Sequence, residues 1–298
     1  MDTFSLHFGH VDVFARQPLS GNGLSVFFLE QELSASLMLR LTQEMRQFES
    51  IFLSPTADPT RFCARIFTME EELGFAGHPI IGAAAALHTR HFQDVSEVRL
   101  HLMTPEKNIP VVSRRVDGVY FAEMDQGKAA HLGMVDPGRY DELLAALNLS
   151  HSDLAETLPL KVVSTGLPYL IVPVKAGLER AAIQVPNFES LLAEIGAKFV
   201  YVLDVNEFEG RTWDNDGRIE DIDTGSAAGP AAAYLVNHGL AAEDTAIRIN
   251  QGRFVGRPSE MLVTVRTGDH PGISVSGQVC FVGQGILELP ITFYQQMN

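Results

Sequence analysis

Two short segments have the composition of ligand-binding helix starts: Gly77-His78-Pro79 and Gly225-Ser226-Ala227. A helix's first turn leaves backbone N–H groups unpaired, and its dipole places roughly half a positive charge there. Gly77 and Gly225 let a ligand come close to that backbone. Two such ends facing one another would hold a carboxylate. Ser226 is also an ordinary N-cap choice, so each start alone reads equally well as a cap. Glu49 is the candidate general base. On strand alternation it points with Ile51 and Leu53, and an acid desolvated among apolar neighbours has a raised pKa suited to proton transfer near neutrality. At a helix start, His78 is favoured in its neutral form, able to pass a proton or donate a hydrogen bond. Asp221 and Asp223 precede the second helix, where acids are electrostatically favoured and one of them could relay protons.

The elements needed to position these residues follow from hydrophobic period. His10–Phe14 and Leu24–Phe28 read as strands around a turn at Pro18–Gly23. Ser34 or Ser36 can cap an amphipathic helix reaching about Arg46. Strands are expected at Phe48–Leu53 and Arg61–Phe67, then a helix opened by Pro79, then β-rich chain from Val95 to about Met124. Helical patterns cover Arg139–Leu147 and Phe188–Ile195, the latter capped by Asn187. Strands are expected at Leu160–Val163, Tyr169–Val174 and Phe199–Asp204. The second Gly-led helix runs from Ala227 to His238 and stops at Gly239. Strands at Met261–Arg266, Ile273–Phe281 and Ile286–Leu289 end the chain.

Both Gly-led helices are Ala-rich, apolar nearly all round, and expected to hold a proline in the first turn. A helix apolar on every face must be enclosed by protein. Among many short strands, this points to a helix within a curled sheet, occurring twice as a weak internal duplication.

Bulk properties exclude several classes. The 298 residues suit two lobes, and 46% apolar with 20% charged residues is a globular composition. A net charge of −15 makes nucleic acid and anionic membranes poor partners, so an anion site must be built locally. No apolar run is long enough for a membrane span, and Met1-Asp2-Thr3-Phe4-Ser5 lacks the basic start of a secretory signal, so a cytoplasmic protein is expected. The two cysteines, Cys63 and Cys280, lie in strand-like runs and read as buried, reduced thiols. Gly21-Asn22-Gly23 lacks the third glycine of a dinucleotide fingerprint and leads into a strand; P-loop, HExxH and GxSxG motifs are missing. His88 and His91 have no carboxylates suggesting metal and read as a solvated helix end. Ser226 has no base nearby in sequence, which argues against nucleophilic catalysis.

Five ordered segments carry a family resemblance. They are Pro18-Leu19-Ser20-Gly21-Asn22, Glu49-Ser50, Phe75-Ala76-Gly77-His78-Pro79-Ile80-Ile81-Gly82, Glu220-Asp221-Ile222-Asp223-Thr224-Gly225-Ser226-Ala227, and Gln251-Gly252-Arg253 with Gly256-Arg257-Pro258-Ser259. Together they resemble the PhzF family of phenazine-biosynthesis-like isomerases, of diaminopimelate epimerase-like fold. The resemblance implies an α+β protein of two similar lobes, each a β-barrel around a central helix, with the site in the cleft between them. The first lobe is placed at 1–118, with 286–298 returning to it, and the second at 119–285. A homodimer without cofactor or metal is implied, acting on a small anionic substrate. In the phenazine member that substrate is trans-2,3-dihydro-3-hydroxyanthranilate. By the same resemblance Glu49 removes and returns the proton, His78 and Asp221 assist, and Asn22, Gly77, Gly225 and Ser226 contact substrate.

Two departures matter. Ile222-Asp223 replaces the family's usual Pro-Val or Pro-Ala, placing a second carboxylate beside Asp221. The paired thiols of the fold's epimerases and racemases correspond here to Ala76 and Thr224, neither a useful base near neutrality. The expected activity is a proton shift in a small carboxylate-bearing substrate, cyclic ones included. The alternatives are an amino- or hydroxy-acid epimerase with unlike bases, or a binding protein that has lost its chemistry.

Overall fold

The computed structural model describes residues 3–268 and 271–297. Met1 and Asp2, part of the segment used to read the N-terminus, lie outside them, as does Asn298 at the end of the segment assigned to the first lobe. The chain divides into two compact units, Met1–Met124 with Ser276–Asn298, and Asp125–Val275.

The first unit holds β1 (Thr3–Val13), β2 (Asn22–Phe28), α1 (Ala35–Met45), β3 (Glu49–Pro55), β4 (Arg61–Thr68) and β5 (Glu72–Leu73). It continues with α2 (Gly77–His91), β6 (Glu97–Met103), β7 (Asn108–Val116) and the start of β8 (Val119–Gly127). The second unit holds β9 (Ala130–Met134), α3 (Tyr140–Ala146), β10 (Lys161–Ser164), β11 (Pro168–Val174), α4 (Phe188–Glu194) and β12 (Phe199–Asp204). After these come β13 (Glu209–Arg211), α5 (Gly225–Asn237), β14 (Ala246–Gln251) and β15 (Ser259–Arg266). The chain returns to the first unit through β16 (Gly272–Pro290) and α6 (Ile291–Met297).

In the first unit the strand order is β1-β2-β3-β4-β6-β7-β8-β16, and β1 pairs antiparallel with β16 to close an eight-stranded barrel. β5 pairs with β4 off this path. The barrel encloses α2, whose residues from His78 to His88 are all buried. Gly82 allows the helix to lie close to the wall: a β-carbon there would fall 2.5 Å from Leu24 Cδ2 and 2.8 Å from Val13 Cγ2. Strands β2 and β3 are buried on both faces because a second apolar layer covers them from outside. There Phe27 and Phe52 stack at 4.6 Å between ring centres, beside Leu37 and Leu41 of α1. Each such buried side chain contributes about 1.5–3 kcal/mol relative to exposure. The Ser34 hydroxyl caps α1 by accepting the Leu37 N–H at 3.2 Å.

In the second unit the order is β15-β14-β13-β12-β11-β10-β9, and α5 packs against β10, β11, β12, β14 and β15. Nearly every residue of α5 from Gly225 to Leu235 is buried. The outer face of this sheet carries its own apolar layer, in which Leu143, Leu144, Phe188 and Leu192 of α3 and α4 cover Val162, Leu170, Val172 and Val202. A helix apolar all round inside a curled sheet therefore occurs in each unit, as the resemblance to the diaminopimelate epimerase-like fold implies, and the fold is α+β.

Several sequence expectations are corrected. Cys63 is exposed, because β4 alternates and sends Phe62, Ala64 and Ile66 inward while Cys63 shares the outer face with Arg61. Cys280, by contrast, is buried and free as expected, its thiol donating to the Ala15 carbonyl at 3.2 Å. His88 is fully buried rather than solvated, with Nδ1 2.9 Å from the Ser113 hydroxyl and Nε2 donating to the Val95 carbonyl at 3.0 Å. Pro230 lies one turn into α5, unlike Pro79, which is in the first turn of α2. Asn187 occupies the N-cap position of α4 without a side-chain capping bond. Ile273–Phe281 and Ile286–Leu289 are parts of one strand, β16, because its partner β1 is equally continuous.

Candidate active site

In the first unit, three expected site residues meet at the head of α2. Strand β2 runs parallel to β3 with Leu24 opposite Glu49, and alternation then turns Glu49 to the side of Ile51, facing α2. Glu49 is 7% exposed and His78 is 6% exposed. The His78 Nδ1 lies 3.3 Å from Glu49 Oε2 and 3.5 Å from the amide nitrogen of Asn22, itself 1% exposed. Burial pushes the His78 imidazole down to about 3, so it is neutral at physiological pH. Its Nδ1 therefore faces a choice set by Glu49. An ionised Glu49 can only accept, so Nδ1 carries the proton; a protonated Glu49 can donate, and the single lone pair of Nδ1 then goes to either Glu49 or Asn22. His78 Nε2 is buried without a protein partner among the described residues.

The turn that delivers Asn22 is held by local bonds. Asp12 Oδ2 accepts the Leu19 N–H at 2.6 Å, and the Ser20 hydroxyl donates to the Gln17 carbonyl at 2.7 Å. Gly21 has φ +61°, and a β-carbon there would fall 2.2 Å from the Val13 carbonyl oxygen. Only glycine fits that close approach.

Helix α2 starts at Gly77 with Ala76 as N-cap and no side-chain capping bond. In the second unit α5 starts at Gly225 with Thr224 as N-cap, again without a side-chain cap. Ser226 is thus not the cap; its hydroxyl is 2.8 Å from that of Tyr169 on β11. Ala76 and Thr224, the positions that the family resemblance aligns with the thiols of the fold's epimerases, both fall at N-cap positions. Neither N-cap side chain therefore occupies the N–H groups of the first turn.

Thr224 does not cap because its hydroxyl is used elsewhere. It donates to Asp221 Oδ2 at 2.6 Å and accepts from the Gln251 amide at 3.0 Å. Burial raises the Asp221 carboxyl to about 6, against the opposing pull of the Thr224 hydroxyl and the N–H groups of Asp223 and Ile222. Asp221 is thus tuned to gain and lose a proton near neutrality. Asp223 is 2% exposed. Beside these, Gln251 and Tyr201 are buried polar residues that sequence reasoning left without a role; the Tyr201 hydroxyl donates to Gln251 Oε1 at 3.1 Å. Burial pushes the Tyr169 and Tyr201 hydroxyls well above their usual range, so both remain protonated. Gln251 had a signal in its Gln-Gly-Arg segment; the two tyrosines had none, standing in strands that read as ordinary core.

Glu49, His78, Asn22 and Gly77 therefore gather within the first unit, and Asp221, Gly225 and Ser226 within the second. Among the described residues no group of three or more His, Cys, Asp or Glu side chains is placed to hold a metal ion. No helix among them is long and apolar enough to cross a membrane.

Residues 11–285 match the PhzC-PhzF family model, described as phenazine biosynthesis-like protein. The trans-2,3-dihydro-3-hydroxyanthranilate isomerase of Pseudomonas chlororaphis is 34% identical over 296 residues, 95% of this chain and 99% of its own. A solved structure from Pseudomonas aeruginosa, described as a predicted epimerase, is 47% identical with a TM-score of 0.86, covering 94% of this chain and 98% of that one. A hydroxyproline epimerase from Agrobacterium vitis, 13% identical with a TM-score of 0.59 over 96% of this chain and 93% of its own, shares the fold. The chain is thus an isomerase and belongs to the PhzC-PhzF family of phenazine biosynthesis-like proteins.

Proposed function

We propose that the protein is a proton-shifting isomerase of small carboxylate-bearing substrates, cyclic ones included, working as a homodimer without a cofactor. The observation that carries this reading is the contact of Glu49 with a neutral His78, 3.3 Å apart and both buried, at the uncapped start of α2. Ionised Glu49, held by the Nδ1–H of His78, takes a proton from a substrate carbon. The electron pair of that C–H bond moves into the adjacent double-bond system, and the proton returns to a second carbon, forming a new C–H bond and restoring the carboxylate. Gly77 and Asn22 in the first unit, and Gly225 and Ser226 in the second, are assigned to substrate contact, the glycines and Ser226 through first-turn N–H groups and Asn22 through its amide. Asp221, placed near 6 by burial, assists proton movement.

The test is turnover of trans-2,3-dihydro-3-hydroxyanthranilate, the compound named for the Pseudomonas relatives, in deuterium oxide. The product is expected to carry deuterium at the carbon that receives the proton. In Glu49→Gln, whose fold is checked by circular dichroism, kcat is expected to fall by about a thousandfold or more with loss of labelling. Label and turnover persisting in that variant would overturn the assignment of Glu49. One observation favours a second reading: Asp221 is a further acid near neutrality, so a two-base epimerisation at an α-carbon is available chemically. Inversion of a single-enantiomer amino or hydroxy acid, followed by optical rotation, separates the two.

A further inference from the structure

The Gln251-Gly252-Arg253 segment and Ser259 are not used by the reaction scheme above, yet they are built tightly around it. Gln251 is 1% exposed and ends β14 opposite Ser259 of β15. Its amide nitrogen lies 2.9 Å from the Asp221 backbone carbonyl and 3.0 Å from the Thr224 hydroxyl. A carbonyl oxygen can only accept, so the NH2 end of the amide must be the end turned to this loop. The amide's oxygen then takes the hydroxyl proton of the fully buried Tyr201. Gly252, at φ +82°, completes the approach: a β-carbon there would fall 2.5 Å from the Ile222 carbonyl oxygen. The Ser259 hydroxyl stands 3.2 Å from both the Ile222 and Gln251 carbonyls, pinning the two strands of chain together.

This geometry leaves the Thr224 hydroxyl no freedom. One lone pair is taken by the Gln251 N–H, so its proton goes to Asp221 Oδ2, 2.6 Å away. A hydroxyl held between these two partners makes no capping bond to the first turn of α5. We propose that Gln251 is a positioning residue, directing the Thr224 proton onto the Asp221 carboxylate and thereby leaving the first turn of α5 uncapped. The same chain runs from Tyr201 through Gln251 and Thr224 to Asp221. The role of this relay in catalysis rests on the isomerase reading; the relay itself does not.

The test therefore uses no substrate. The carboxyl carbon of Asp221 is followed by 13C NMR against pH in the full-length protein, its signal assigned by loss in Asp221→Asn. Gln251→Leu frees the Thr224 hydroxyl and is expected to raise the Asp221 midpoint by about one pH unit, since the charged form loses a directed donor. Thr224→Val is expected to raise it as much, and Thr224→Ser to keep the wild-type midpoint. Gln251→Leu added to Thr224→Val is expected to cause no further shift, because the glutamine acts through the threonine. Should Gln251→Leu not fold, Gln251→Glu keeps the shape, removes the N–H donor and is expected to raise the midpoint further by its charge. An Asp221 titration unmoved by either Gln251 variant, or moved equally with and without the threonine hydroxyl, would overturn the proposal. Absence of isomerase activity in the wild type would instead count only against the reaction scheme.

Discussion

At the scale of single residues, the site's character comes from burying groups that would titrate differently in water. His78 is the clearest case, since burial alone lowers it from 6.5 to about 3. The unfolded chain then binds a proton near pH 6.5 that the folded chain refuses until about pH 3. Stability from this source is whole above pH 6.5 and is lost as pH falls, by about 1.4 kcal/mol per unit. Urea titrations at pH 6.5 and pH 5 should differ by about 2 kcal/mol more in the wild type than in His78→Gln, which has no such proton to exclude. An equal acid loss in both proteins would show that His78 is solvated. The residue identities of this site were legible in the chain: an acid on an apolar strand and a histidine beside a helix-opening glycine. Their contact was not, because 29 residues separate Glu49 from His78 and only barrel closure brings β3 to the head of α2.

At the scale of elements, the two central helices place the chemistry, and small residues set how closely they lie to their sheets. Gly82 is the sharpest instance in the first unit, with Leu24 and Val13 occupying the space a side chain would need. Gly82→Val is expected to destabilise by about 2 kcal/mol or more, because the branched side chain must displace barrel residues and also lowers helix propensity relative to alanine. Gly82→Ala should cost less, since alanine recovers about 1 kcal/mol of helix propensity against its own overlap. Denaturant midpoints at constant m-value would check both. Helix periods, caps and glycine stops were readable to within a residue or two, as at α1 and α5, because 3.6-residue patterning is local. Cys63 shows the opposite error: its apolar neighbours suggested burial, yet the flanking Arg61 and Arg65 already marked the outward face. His88 shows a different failure. A histidine late in a helix reads as solvated until the Ser113 hydroxyl and Val95 carbonyl are brought around it by tertiary packing.

At the scale of the whole molecule, a net charge of −15 surrounds a site that binds an anion in the proposed reaction. Long-range repulsion should then slow capture, and salt should relieve it. Raising ionic strength from 10 to 150 mM is expected to increase kcat/KM for an anionic substrate by about two- to fivefold while leaving kcat unchanged, as the screening length falls from roughly 30 to 8 Å. A fall in kcat/KM would mean that the capture path is locally basic. The sequence by itself determined the pair of Gly-led helix starts, the acid and histidine beside them, the absence of thiols at Ala76 and Thr224, and the family. All of these reside in residue type, spacing and local period, which no folding event alters. Only the tertiary structure decided what the hydroxyls and amides do: that Ser226 meets Tyr169, that Thr224 serves Asp221 instead of capping, and that Gln251 enforces it. A polar side chain has several partners within reach of its rotamers, and the choice among them is made by groups distant in sequence that burial leaves no alternative but to pair.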